Sequence, residues 1–190
     1  MGKQLKLYMI MLGCKPAGRL TEQHDVFFGI GNSLKNLIPQ MKNFWPEAKG
    51  QLHIDVWRAV SVVDNYSIEI VPRDVVRNTP SEKLFFINLG GYKENEFEEY
   101  HYKMLTVSQS LGLATKNTET TTFYKDWSFN GATSHIDDKY GIDVDDIHMV
   151  SDLLDKQFKE QYALKITKSE DDLKEDDLHI GYLKLDEITV

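Results

Sequence analysis

The sequence predicts an α+β fold of two β-α-β-β units with internal pseudo-twofold symmetry, their helices packed on mainly antiparallel sheets. Three observations predict it. Residues 7–34, LYMIMLGCKPAGRLTEQHDVFFGIGNSL, lie without a gap over residues 84–111, LFFINLGGYKENEFEEYHYKMLTVSQSL, with identities at Leu7/Leu84, Ile10/Ile87, Leu12/Leu89, Gly13/Gly90, Glu22/Glu99, His24/His101, Ser33/Ser110 and Leu34/Leu111. Each copy then passes from an apolar run through glycine into apolar residues at helical spacing. Alternating runs bounded by Asp and Asn follow, as antiparallel strands require.

In the first unit residues 6–12 form the opening strand, Gly13 the turn, and Phe27, Ile30, Leu34, Leu37 and Ile38 the apolar stripe of a helix. In the second the strand spans 83–89 and the stripe holds Met104, Val107 and Leu111. Alternating strands come next at LHIDVW (52–57) and TFYKDW (122–127), with return strands after Asp64-Asn65 and Asp137-Asp138. The pair VVDNYSIEIV (62–71) and HIDDKYGIDV (135–144) extends the internal match with a one-residue gap. The expected units are 1–72 and 83–190, with the proline-containing, mixed-charge stretch 73–82 as linker. The second unit carries an addition: a helix over 145–158, through Ile147, Val150, Leu153, Leu154 and Phe158, and a hairpin of YALKIT and HIGYLKL. Between those strands the acidic run SEDDLKEDD (169–177) reads as a solvated loop, because it lacks the glycine and ligand spacing of a calcium loop.

A chain of 190 residues with 41% hydrophobic and 27% charged residues buries a sizeable core without a staple. Its formal charge of -8, with basic residues only scattered, argues against nucleic acid and anionic membranes as partners. The single cysteine, Cys14, rules out an intrachain disulfide framework and zinc sites built from several thiolates. The apolar run Leu7–Leu12 is too short for a signal peptide, and no stretch reaches the ~18 apolar residues of a membrane span. The expected setting is the cytoplasm.

The stretch LGCKPAGRLTEQHDVFFGIGNSLKNLIPQMKNFWP, followed by HIDVWRAV and VDNY, resembles the bacterial family of domain of unknown function 1543, whose module occurs in one or two copies. The resemblance covers roughly residues 5–71, and the second copy is more divergent. It departs from the family's pattern at Cys14, where Gly-Gly is typical, and at Ala17 of the Ala17-Gly18-Arg19 segment. The resemblance implies bacterial origin and a duplicated fold, and no activity.

Gly13 and Gly18 have the G-x-x-x-x-G spacing of a phosphate loop. Arg19-Leu20 then replaces the lysine and hydroxyl that nucleotide hydrolysis needs, leaving simple anion binding by Lys15, Arg19 and a helix N-terminus. Cys14 precedes Arg19 by four intervening residues where a phosphatase loop has five, so a small residue in a tight turn explains it better than a nucleophile. Glu22-x-His24 and Glu99-x-His101 are the charged pairs that both units share. On a helix positions i and i+2 lie about 200° apart, so the glutamates read as first-turn residues favoured by the dipole, and the histidines as packing residues or ligands. In HIDVW, alternation aims His53, Asp55 and Trp57 to one side.

Lys15, Arg19, Glu22, His24, Asp25, His53, Asp55, Glu99 and His101 are therefore the candidate ligand-binding residues. The expected function is a binding module for a small polar or anionic ligand, or for a protein partner, with no cofactor. The alternative is a metal-assisted hydrolase in which His24 and His101 share one metal with Glu22 and Glu99, Asp25 and Asp55 standing in reserve. Third comes a structural pseudo-dimer with no site.

Overall fold

The computed structural model describes residues 4–76, 81–92, 95–118 and 144–189. In chain order the elements are β1 (Lys6–Cys14), β2 (Gln23–Gly31), α1 (Leu34–Phe44), β3 (His53–Ala59), β4 (Val62–Val63), β5 (Tyr66–Pro72), β6 (Lys83–Tyr92), β7 (Glu99–Ser108), α2 (Leu111–Thr118), β8 (Val144–Met149), α3 (Val150–Leu153), α4 (Lys156–Gln161), β9 (Tyr162–Lys168) and β10 (His179–Lys184). The chain divides into two compact units, Met1–Asn78 with Leu154–Val190 and Thr79–Leu153. Both are mixed α+β, and every described strand pair is antiparallel.

The first unit holds one sheet in the order β10-β3-β1-β2 and another in the order β4-β5-β9. Alternation along β1 sends Tyr8, Ile10, Leu12 and Cys14 to one face, where they meet Phe27, Ile54 and the α1 residues Leu34, Leu37 and Met41 in the core. Those helical residues recur at i, i+3 and i+7, the spacing of one buried stripe. At Gly29 and Gly31 an added Cβ would sit 3.0 Å from the Leu37 side chain, so glycine lets α1 lie close on β2. Between β4 and β5, Asp64 and Asn65 both have positive φ, as a two-residue hairpin turn demands.

The helix expected from Phe27 onward begins at Leu34, and residues 23–31 form β2 instead. VFFGIG is apolar at every position and buried throughout, so it carries no period of its own. The β-branched and aromatic residues suit a strand, and the two glycines weaken a helix. The same correction applies to Met104 and Val107, which lie in β7 ahead of α2. Each opening segment is thus β-β-α.

A second difference concerns the C-terminal segment. β9 and β10 do not pair as a hairpin attached to the second unit: β9 lies along β5 from Tyr66↔Lys168 to Pro72↔Tyr162, and β10 lies along β3. The acidic connection between them is tied down. The Asp176 carboxylate accepts from Ser61 N at 2.6 Å, Ser61 Oγ at 2.8 Å and Val62 N at 3.2 Å, while Glu175 meets Arg58 at 2.9 Å. The helix expected over 145–158 resolves into β8, α3 and α4, broken at Leu154-Asp155. The expected strand at 122–127 lies outside the described residues, as does all of 135–144 except Val144.

The second unit's sheet runs β7-β6-β8, with Phe85, Ile87 and Leu89 packing on Ala114 of α2. β1 and β2 pair from Lys6↔Gly31 to Cys14↔Gln23, and adding 77 to both members of each pair gives the pairs of β6 and β7, from Lys83↔Ser108 to Gly91↔Tyr100. The third strands agree as well. Their register shifts fall between Met11 and Leu12 and between Asn88 and Leu89, so Val144 stands opposite Leu89 as Ile54 stands opposite Leu12.

Asp176→Ala is expected to lower stability by about 1 kcal/mol, the scale of charge-assisted hydrogen bonds at a partly exposed site. The urea midpoint measures it, and an unchanged midpoint would show that the acidic segment contributes nothing by docking on Ser61.

Candidate metal centre

β1 lies between β2 and β3, and Gly13 is paired with His24 on one side and His53 on the other. Residues directly opposite on neighbouring antiparallel strands share a face, so both imidazoles flank Gly13 on the side away from Leu12, Ile54 and α1. Glu22 comes two residues before His24. With His24 in a strand rather than a helix, that spacing aims the two side chains the same way instead of about 200° apart. Asp55, two residues after His53, shares its face by alternation and stands at a bulge: Ile54 pairs with Leu12 and Val56 with Met11, leaving Asp55 unopposed. Beyond the bulge the alternation is reset. Trp57 faces the α1 side opposite Ile10 and packs on the core, so the expected row of His53, Asp55 and Trp57 is split.

Four side chains therefore converge. His24 Nε2 lies 3.3 Å from Asp55 Oδ2 and 3.7 Å from Glu22 Oε2, and His53 Nε2 lies 3.3 Å from Glu22 Oε1 and 3.4 Å from Asp55 Oδ1. Donor atoms of Glu22, His24 and His53 are all within 4.8 Å of one another. His53 is only 5% exposed, yet its Nε2 has no hydrogen-bond partner, and neither has the buried Oδ2 of Asp55. The side chains of His24 and Glu22 are 42% and 45% exposed, so the cluster is closed on the His53 side and open on the other.

Gly13 provides the space. A Cβ there would stand 2.2 Å from His53 Nε2 and 2.6 Å from Asp55 Oδ2. Its φ lies outside the left-handed region, so the demand is for room rather than for an unusual backbone. The Tyr182 ring covers His53 at a centroid distance of 4.4 Å, held on β10 where the pairing with β3 shifts register between Ile180 and Leu183. Nothing in the local sequence signals Tyr182, because its position depends on a strand that returns from far along the chain.

The other candidates lie elsewhere. Asp25 stands opposite Leu12, on the other face, and its Oδ1 accepts from Val26 N at 2.7 Å. Lys15 and Arg19 are exposed in the β1–β2 connection, where Arg19 N donates to Pro16 O at 3.2 Å. That connection joins two strands, so the helix N-terminus expected to hold an anion beside Gly18 does not exist, and Glu22 and Glu99 cap no helix. Glu99 and His101 are on β7 of the second unit, with Tyr92 donating to Glu99 at 2.8 Å. All the contacts described for the His24 ring come from the first unit. Cys14 is buried on the α1 side; burial pushes its thiol up, and the negative charge of Glu22 adds to the shift. It is neither a ligand of this cluster nor an activated nucleophile.

Residues 19–70, which contain all four clustered side chains, match the model of a family described as Domain of Unknown Function (DUF1543). No curated protein matches the chain. The crystal structure of a protein Il1583 from Idiomarina loihiensis is similar in fold, with a TM-score of 0.63 and 21% identity over 95% of this chain and 97% of that one.

Gly13→Val is expected to cost more than about 1 kcal/mol, because the new methyls must displace His53 and Asp55. Equal urea midpoints for variant and wild type would overturn the packing argument. Cys14 is expected to resist a thiol reagent in the folded protein at pH 7 and to react promptly in denaturant; rapid native labelling would contradict its burial.

Proposed function

We propose that the first unit is a metal-binding module that holds a divalent transition-metal ion between Glu22, His24, His53 and Asp55. The observation that supports this reading most strongly is the buried Nε2 of His53, which makes no hydrogen bond and lies 3.3 and 3.4 Å from two carboxylates, beside a second imidazole. A buried polar atom without a partner costs roughly 1–3 kcal/mol, a cost that coordination removes. Ligands about 2.1 Å from a tetrahedral ion are about 3.4 Å apart; one donor atom each of Glu22, His24 and His53 lie within 4.8 Å of one another, and Asp55 meets each imidazole through a different oxygen, so closing on an ion requires small side-chain rotations. Two imidazoles with two carboxylates suit Zn(II), Fe(II) or Mn(II) better than calcium or magnesium, which prefer oxygen alone.

The partly exposed side of the cluster leaves room for a water or a substrate oxygen, as a catalytic centre needs and a closed structural one does not. The hydrolase reading is supported by this set, all of it within one unit. The matching registers and the common position of the register shift support duplication of a β-β-α-β unit. Leu20 and Phe97, 77 positions apart, are both fully or almost fully exposed in equivalent connections. A reducing, cytoplasmic setting agrees with the single buried thiol.

Untagged protein, stripped with chelator and titrated with Zn(II) in a calorimeter, is expected to bind about one equivalent at this centre. His24→Ala should weaken binding at least ten-fold, and Asp25→Ala, altering the opposite face, should leave it unchanged. Wild-type affinity in the His24 variant would overturn the assignment.

A further inference from the structure

A second feature of the first unit is a cleft of about 890 Å³ beside α1. Lys35, Ile38 and Lys42 line one wall, and Tyr182, Lys184 and Asp186 lie on another, with His53 also in the lining. Residues 35, 38 and 42 follow one another at i, i+3 and i+7, so both lysines stand on the helix face that borders the cleft, two turns apart with an apolar side chain between them. Lys184 is brought in by the pairing of β10 with β3, where it stands opposite His53.

The charge of this lining opposes that of the molecule. Three lysines face one carboxylate, Asp186, in a chain whose formal charge is -8. Lys184 is 3.7 Å from Glu187, whereas among the described residues neither Lys35 nor Lys42 is engaged in an ion pair. Three lysines in the lining of one concave surface attract a ligand with more than one negative group, and the volume lies within the range of small-molecule sites.

We propose that this cleft binds a small multivalent anion bearing phosphate or carboxylate groups, clamped between Lys35 and Lys42 of α1 and Lys184 of β10. It goes beyond metal binding and does not require it. Lysine acts here as a point charge on a flexible stem, so the site recognises charge density rather than one fixed geometry. Tyr182, exposed in the cleft lining and tilted by 32° against the His53 ring, supplies an apolar surface for the body of such a ligand.

Calorimetric titration of the chelator-stripped full chain with inorganic pyrophosphate, and separately with citrate, tests the proposal without any metal present. Saturable binding of at least one probe is expected, weakened ten-fold or more in both Lys35→Glu/Lys42→Glu and Lys35→Gln/Lys42→Gln. The probe that binds tells a phosphate ligand from a carboxylate one. A Lys6→Glu/Lys168→Glu variant, with the same change in net charge at exposed positions outside the cleft lining, should bind as wild type. Circular dichroism identifies folded variants, and the glutamine pair preserves the test should the glutamate pair unfold. Binding of neither probe would overturn the proposal. So would undiminished binding by the folded glutamine variant, or an equal loss in the Lys6/Lys168 control.

Discussion

Gly13 sits mid-row between His24 and His53, and the volume its side chain would take is filled by the His53 ring and the Asp55 carboxylate. The arrangement of the site follows from that missing Cβ. The two imidazoles belong to strands that do not pair with each other, and only the strand between them sets their separation. A larger residue would force both the His53 ring and the Asp55 carboxylate out of their places. The same strand carries Leu12 and Cys14 on its other face, so β1 divides a polar cluster from an apolar core within two residues.

The bulge at Asp55 is the second constraint. Regular alternation from His53 would keep Asp55 beside the histidines but carry Trp57 to that same face, whereas Trp57 pairs opposite Ile10 and packs on the core. One extra residue resolves the conflict by resetting which face each side chain takes. β10 then completes this edge: it lies outside β3, and its own irregularity at Ile180–Leu183 brings Tyr182 over His53. The acidic connection that leads into β10 is anchored on Ser61, so a segment with the composition of a free loop helps to fix the strand that covers the site.

The sequence revealed the site's residues better than its geometry. Glu22, His24, His53 and Asp55 were all legible as polar residues in repeated or alternating patterns. Their convergence was not, because residues 26–31 are apolar throughout and a fully buried strand then has the same signature as a buried helix segment. With His24 assigned to a helix, Glu22 points away from it; with His24 in β2, the two side by side become obvious. The bulge has no local sequence signal at all, since it exists only relative to the register of β1. The places of β9 and β10 were hidden for a related reason: nearest-neighbour hairpins are the simplest pairing of two successive strands, but their partners here lie about a hundred residues earlier. The offset of 77 residues seen in the sequence is also the offset between the pairing of β1 with β2 and that of β6 with β7, and in the third strands Val144 stands opposite Leu89 as Ile54 stands opposite Leu12.

Glu22, His24, His53 and Asp55 are proposed to surround one metal ion. Anomalous diffraction at the zinc edge, from crystals grown with stoichiometric Zn(II), tests it most directly. A single strong peak is expected about 2.0–2.2 Å from Nε2 of both His24 and His53, with carboxylate oxygens of Glu22 and Asp55 completing the set. A map without that peak, in which the two imidazoles instead donate ordinary hydrogen bonds to the carboxylates, would contradict it.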